Sequence, residues 1–176
     1  MILVACFALV LLGIGLFAWF LHPAEGPLDN LPATQPGDQR QATVTIGASV
    51  FNVDLAIDDN TRPAGLSGRT SLPKDYGMLF MYPKPHRPRY ATFWMKDCLM
   101  DLDIAFIAAD RRIITIYTMR QEPAGTPDNQ LRQYPPTSDM QFALEVAPGE
   151  LARRGIKVGD RVTFSPATEA AIRYAK

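Results

Sequence analysis

Soft metal ligands are scarce in this chain, which has two cysteines, Cys6 and Cys98, and two histidines, His22 and His86. Cys6 lies in the first apolar run, so everything beyond it holds a single thiol and no intramolecular disulfide can staple it. No Cys or His spacing suits zinc, a Ser-His-Asp set has only His86 to draw on as its base, and no Gly-rich phosphate loop or dinucleotide fingerprint is present. Neither a metal nor a cofactor is expected. Net charge is lacking as well: 18 Lys and Arg balance 18 Asp and Glu, which removes the electrostatic ground for a nucleic-acid partner.

Charge is also missing locally, since no charged residue occurs from Met1 to Leu21. A helix of roughly 21 residues at about 1.5 Å each reaches about 31 Å, enough for a hydrocarbon core of about 30 Å. Residues 1–21 therefore read as a transmembrane anchor or an uncleaved signal. Trp19-Phe20-Leu21 closes the run with no Ala-x-Ala cleavage site after it. The first Lys or Arg beyond it is Arg40, a weak orientation signal, and the C-terminal bulk is expected outside the cytoplasm, periplasmic or extracellular. Residues 22–41 carry Pro23, Pro27, Pro32 and Pro36 with Gly26 and Gly37, the composition of an extended linker.

Residues 42–166 are expected to form one domain with one core, and 167–176 a C-terminal tail with a short frayed helix. Phe51, Val53, Leu55 and Ile57 alternate with Asn52, Asp54 and Ala56, the period of a half-buried strand. Thr61 before Arg62-Pro63-Ala64 places a capping residue and an early proline at the start of a brief helix, which Gly65 or Gly68 stops. Met78–Tyr82 and Ala91–Met95 read as buried strands separated by a loop at Pro83, Pro85 and Pro88. Ile104–Ala108 and Ile113–Tyr117 flank a polar turn and fit a β-hairpin. After a proline-bearing loop over 122–139 come a strand over Gln141–Ala147, a helical turn or two ending at Gly155, and a strand over Arg161–Phe164. The sum is an α+β, mainly β fold: a compact curved or barrel-like, mostly antiparallel sheet with one or two short helices.

Short segments in fixed order carry a resemblance. Arg62-Pro63-Ala64-Gly65-Leu66 is followed by Gly77-Met78-Leu79-Phe80, Phe93-Trp94-Met95-Lys96-Asp97, Leu102-Asp103, Leu144-Glu145-Val146 with Gly149, and Val158-Gly159-Asp160. The combination resembles domain-of-unknown-function family 192, an uncharacterised prokaryotic family, from about Arg62 to Phe164. Ser67 stands where that family usually has Met, Asp97 where it has Asn, Cys98 where it has Thr or Ser, and Asp101 where it has Pro. The resemblance implies no reaction.

Candidate chemistry must therefore come from individual residues. Residues two apart on a strand share a face, so Trp94 and Lys96 point together toward a recessed site for a small polar or anionic ligand, with an indole to stack on and an ammonium to pair. The structural alternative makes Trp94 core and Lys96 a snorkelling partner of Asp97 or Asp103. Arg62, Arg69 and Arg89 offer guanidinium donors or simple salt bridges, and Arg62 is favoured by the resemblance. The ligand set is thus Arg62, Trp94, Lys96, Asp97 and Asp103. Asp103 with Glu145 or Asp160 supplies a conceivable acid and base pair, although Leu-Asp and Gly-Asp also serve as plain turns.

The polar set is sparse and lacks a nucleophile or metal group. A non-enzymatic binding or accessory module of the cell envelope is expected first. A carboxylate-based hydrolase of a glycan or other polar envelope substrate, and a protein-interaction module of a membrane assembly, are the alternatives.

Overall fold

The computed structural model describes residues 41–176; the anchor expected over 1–21, the linker expected over 22–41 except its last residue, and the side chain of Arg89 lie outside the described residues. Among the described residues no helix is long and apolar enough to cross a membrane. Seven strands form one sheet: β1 (Thr43–Ile46), β2 (Ser49–Ala56), β3 (Tyr76–His86), β4 (Leu102–Ile107), β5 (Ile113–Met119), β6 (Met140–Val146) and β7 (Val162–Phe164). Their order across the sheet is β5-β4-β6-β3-β2-β1-β7, with every pair antiparallel except β2 and β3. The sheet curls until the approaches to its two edge strands meet in an antiparallel bridge, Arg112 to Arg161. There Ile113 N–H donates to the Asp160 carbonyl at 3.0 Å and Val162 N–H to that of Arg111 at 2.8 Å. Pairing the edges in this way removes exposed strand donors and makes the fold the mostly β, curved sheet that the strand periods imply.

Alternation along the strands divides the apolar residues between two cores. One contains Phe51, Leu79, Ala105, Phe142, Leu144 and Phe164 and draws on both edges of the sheet, so it fills the curl. The other contains Phe80, Met95, Ile104, Phe106, Met119 and Tyr134 and sits on the opposite face of β3, β4 and β6. Because the loops that carry Met95 and Tyr134 cover that face, all six residues of β4 are buried.

Among the described residues there are three short α-helices, α1 (Thr61–Ala64), α2 (Glu150–Arg153) and α3 (Pro166–Ala171). Gly65 ends α1 at φ 48°, but Thr61 is not its cap. The N–H groups of Asn60 and Thr61 donate to the Asp58 carboxylate at 3.0 and 2.8 Å, and the Thr61 hydroxyl instead accepts from the N–H of Ile57 and Asp58. Ser165 caps α3, accepting from Thr168 N–H at 3.3 Å, with Pro166 in the first turn. Residues 167–176, set apart as a tail in the sequence, pack onto the curl through Ala171, Ile172 and Ala175.

Three local expectations change. β1 was not expected at all; its four residues are short, but Val44 and Ile46 are buried. Ala91–Met95 is not a strand and keeps only an isolated bridge between Phe93 and Tyr134. β3 does not stop at Tyr82 but runs through Pro83 and Pro85 to His86. Proline has no N–H to give to a ladder, and the β3–β6 pairing accordingly jumps from Met81–Phe142 to His86–Met140.

Candidate functional site

The second core is incomplete at one place, where an open cavity of about 480 Å³ enters the face of the sheet. β3 supplies Phe80 and Tyr82 to its lining, and the α1 segment supplies Arg62 to Ser67. The loop after β3 supplies Thr92, Phe93 and Trp94, then Lys96, Asp97 and Cys98. β6 contributes one residue, Glu145. In register, Glu145 stands between Met78 of β3 and Ile104 of β4, so a carboxyl occupies a slot where apolar neighbours lead one to expect a hydrophobe.

Glu145 is 4% exposed, and its carboxyl has no hydrogen-bond partner among the described residues. Burial alone raises its pKa to about 8, so the group is mostly a neutral acid at pH 7. Its charge acts on two titratable groups of the cavity, Cys98 and Tyr82. Burial, followed by the charges of Glu145 and Asp97, pushes the Cys98 thiol up to about 11, which leaves the sulfur protonated and a poor nucleophile. Tyr82 is also raised, first by burial, with Arg62 opposing.

The two cations of the lining are committed elsewhere. Arg62, its side chain 11% exposed, donates to the Met81 carbonyl at 3.0 Å, to Asp59 at 2.7 Å and to the Lys176 main-chain oxygen. Its guanidinium covers the Tyr82 ring at 4.9 Å, so it is a wall that ties α1 to β3. Lys96 pairs with Asp128 at 2.8 Å, and that hydrogen bond is the main reason its pKa rises.

The turn at residues 96–98 is built by backbone geometry. Asp97 has φ 55°, a left-handed conformation that Asn and Asp tolerate better than other non-glycine residues. Its carbonyl accepts from Gly68 N–H at 2.9 Å, while the Ser67 hydroxyl donates to the Lys96 carbonyl at 3.1 Å. Asp in place of the Asn usual in family 192 therefore preserves the turn. The carboxylate of Asp97 is exposed at the cavity rim.

Trp94 is not core: it is 47% exposed and lines the cavity. No strand brings Trp94 and Lys96 to one face as the sequence suggested; a loop carries both into the same lining. Arg62, Trp94, Lys96 and Asp97 do converge, and Glu145 joins them. Phe80 and Phe93, in edge-to-face contact at 4.9 Å, were missed, because nothing local marks an aromatic residue as wall rather than core. The signal for Glu145 was available: it is the one charge in the apolar run Phe142–Val146.

The remaining candidates do not reach the cavity. Asp103, 2% exposed, accepts from the Thr118 hydroxyl at 2.8 Å and from Leu151 N–H at 3.2 Å, so it caps α2 against the sheet. Asp160 accepts from Lys157 N–H at 2.9 Å and shapes a turn. Arg69 is bound to Asp54 at 2.8 Å. No three His, Cys, Asp or Glu side chains among the described residues converge to hold a metal ion. Replacing Asp103 by Ala removes two hydrogen bonds to a carboxylate and orphans a buried N–H. A loss of roughly 2–4 kcal/mol is expected by urea unfolding, with ligand affinity at the cavity unchanged.

The fold and the site define a curled β-sheet domain with a loop-built side pocket around one buried acid. Residues 42–164 match domain-of-unknown-function family 192, described as an uncharacterized ACR, and the chain belongs to that family. A protein of unknown function from Novosphingobium aromaticivorans DSM 12444 is 32% identical, with TM-score 0.57, over 77% of this chain and 94% of its own. A protein from Sinorhizobium meliloti 1021, provisionally named a transcription regulator, is 27% identical, with TM-score 0.59, over 70% of this chain and 92% of its own. No curated protein matches the chain.

Proposed function

We propose that this chain is a membrane-anchored binding module of the cell envelope that holds a small ligand in the pocket around Glu145. The observation that carries the reading is a buried carboxyl with no hydrogen-bond partner among the described residues, opening on a cavity of about 480 Å³ beside a half-exposed tryptophan. A volume of that size lies within the range of small-molecule sites, roughly 300–1,000 Å³. An unpaired buried acid costs stability, and a ligand that completes it recovers that cost. The anchor and the extracytoplasmic placement rest on the uncharged run of residues 1–21 and the proline-rich stretch after it.

The hydrolase alternative loses support, because neither Asp103 nor Asp160 lines the cavity with Glu145 to complete an acid and base pair. An anionic ligand loses support too, since Arg62 and Lys96 already have carboxylate partners. The balanced charge argues for no nucleic-acid partner. A thermal-shift screen of small metabolites on the full chain in nonionic detergent tests the reading. Stabilisation that grows with ligand concentration, and that Trp94→Ala diminishes, is the expected result. A flat screen overturns it.

A further inference from the structure

We infer that the pocket takes a small organic ammonium ion, bound by Glu145 as a carboxylate and by the face of Trp94; this rests on the binding-module reading and names its ligand class. The first ground is the inventory of charge in the lining. Arg62 and Lys96 are paired with Asp59 and Asp128, whereas the side chains of Glu145 and Asp97 have no hydrogen-bond or ion-pair partner among the described residues. At neutral pH that leaves the exposed carboxylate of Asp97 as the unpaired charge of the lining, and Glu145 adds a second once it gives up its proton. The hydroxyl of Thr92 donates to Gln133 at 3.2 Å and that of Ser67 to the Lys96 carbonyl, so the lining offers few free groups to satisfy a ligand with many hydroxyls.

The second ground is the aromatic wall. Indole faces attract cations most strongly among the aromatic side chains. The Tyr82 face is already covered by the Arg62 guanidinium, while among the described residues no cation or ring covers Trp94. A monoamine or quaternary ammonium thus meets a buried acid and one open ring. An anion would be repelled by Asp97, and a neutral ligand would draw no charge from Glu145, whereas a cation gains from ionising it.

Binding in this mode carries a proton balance. Empty, Glu145 holds its proton at neutral pH; occupied, it is a carboxylate paired with the ammonium, and one proton passes to solvent. The groups that face it are Arg62 from α1, Tyr82 from β3, and Lys96, Asp97 and Cys98 from the loop. Arg62 and Lys96 stay paired as they are, and Cys98 stays protonated, so the released proton is that of Glu145. Affinity for the cation should therefore rise about tenfold per pH unit toward pH 8 and level off above it.

Isothermal titration calorimetry of the full chain in nonionic detergent decides the matter, with choline and benzylammonium set against their neutral counterparts 3,3-dimethyl-1-butanol and benzyl alcohol. Each titration is run at pH 7 in two buffers of different ionisation enthalpy. The expected result is cation affinity at least about tenfold above that of the neutral counterpart, with close to one proton released per cation bound. Glu145→Gln abolishes the proton release and the preference for cations, and Trp94→Ala weakens the cations while sparing the release from what still binds. Equal binding of cations and neutral counterparts without proton release overturns the ammonium assignment and leaves the pocket a binding site. If no probe of either kind binds and the metabolite screen is flat, both readings fall.

Discussion

Between about pH 5 and pH 8 the empty protein loses several kcal/mol of stability, and Glu145→Gln removes that loss. Burial raises Glu145 from 4.5 to about 8 in the folded chain. The unfolded chain ionises near 4.5, so from there to about 8 the folded state binds more protons than the unfolded state. Stability falls with pH wherever that holds. The stabilising contribution is complete below the unfolded pKa and is lost as pH rises through the folded one. A shift of this size corresponds to at most about 5 kcal/mol. Asp58 and Asp101 act in the other direction, since hydrogen bonds lower both, but their effect lies below pH 4. Glutamine keeps the shape and cannot ionise; its buried amide costs roughly 1–3 kcal/mol at every pH. Urea midpoints of the full chain at pH 5, 6.5 and 8 should slope downward for the native sequence and run level for the variant. Equal slopes would show that Glu145 ionises in the folded chain as easily as in the unfolded one.

Gly77→Ala should lower the thermal midpoint by about 10 °C or more. Gly77 stands in β3 between Val53 of β2 and Val146 of β6. A Cβ there would lie 2.3 Å from the Glu145 carbonyl oxygen and 2.9 Å from a Val146 methyl. Backbone is the obstacle, so no rotamer change relieves it, and β3 and β6 must separate at the residue that carries the buried acid. Overpacking of this kind costs about 3 kcal/mol, which corresponds to roughly 10 °C in a domain of this size. Because the strain falls on Glu145, ligand affinity should drop with stability, in contrast to Asp103→Ala. A midpoint within about 2 °C of the native value would mean that the strands yield without cost.

The same glycine illustrates how much was legible in the chain. Gly77-Met78-Leu79-Phe80 marks a buried strand by its apolar run, and the run also announces that both faces are covered. It does not announce that the glycine is there for the Glu145 carbonyl, because Glu145 is 68 residues away in sequence and comes alongside only through the pairing of Gly77 with Val146. The hairpin of β4 and β5 was legible for the complementary reason: its contacts are local and its turn residues are consecutive. β1 was missed because four residues carry too short a pattern to stand out before their partners β2 and β7 are known.

Arg62, favoured by the resemblance, and Trp94 and Lys96, paired by an assumed strand spacing, line the cavity with Asp97 and with Glu145, which the sequence offered only as a weak catalytic candidate, whereas Asp103 and Asp160 do not line it. A carboxylate in an Asp-strand or Gly-Asp step looks the same in sequence whether it caps a helix, shapes a turn or faces a ligand. Only the hydrogen bonds to Thr118, Leu151 and Lys157 separate these roles. What the sequence by itself determined was the family, the mainly β architecture and the absence of any metal or nucleophile pattern, because these follow from composition, period and the order of short segments. The tertiary structure decided which charges are spent and which are free, because desolvation and pairing depend on neighbours that the curled sheet brings together from distant positions. On that accounting Lys96 became a paired surface ion, Trp94 an open wall, and Glu145 the uncompensated acid at the centre of the pocket.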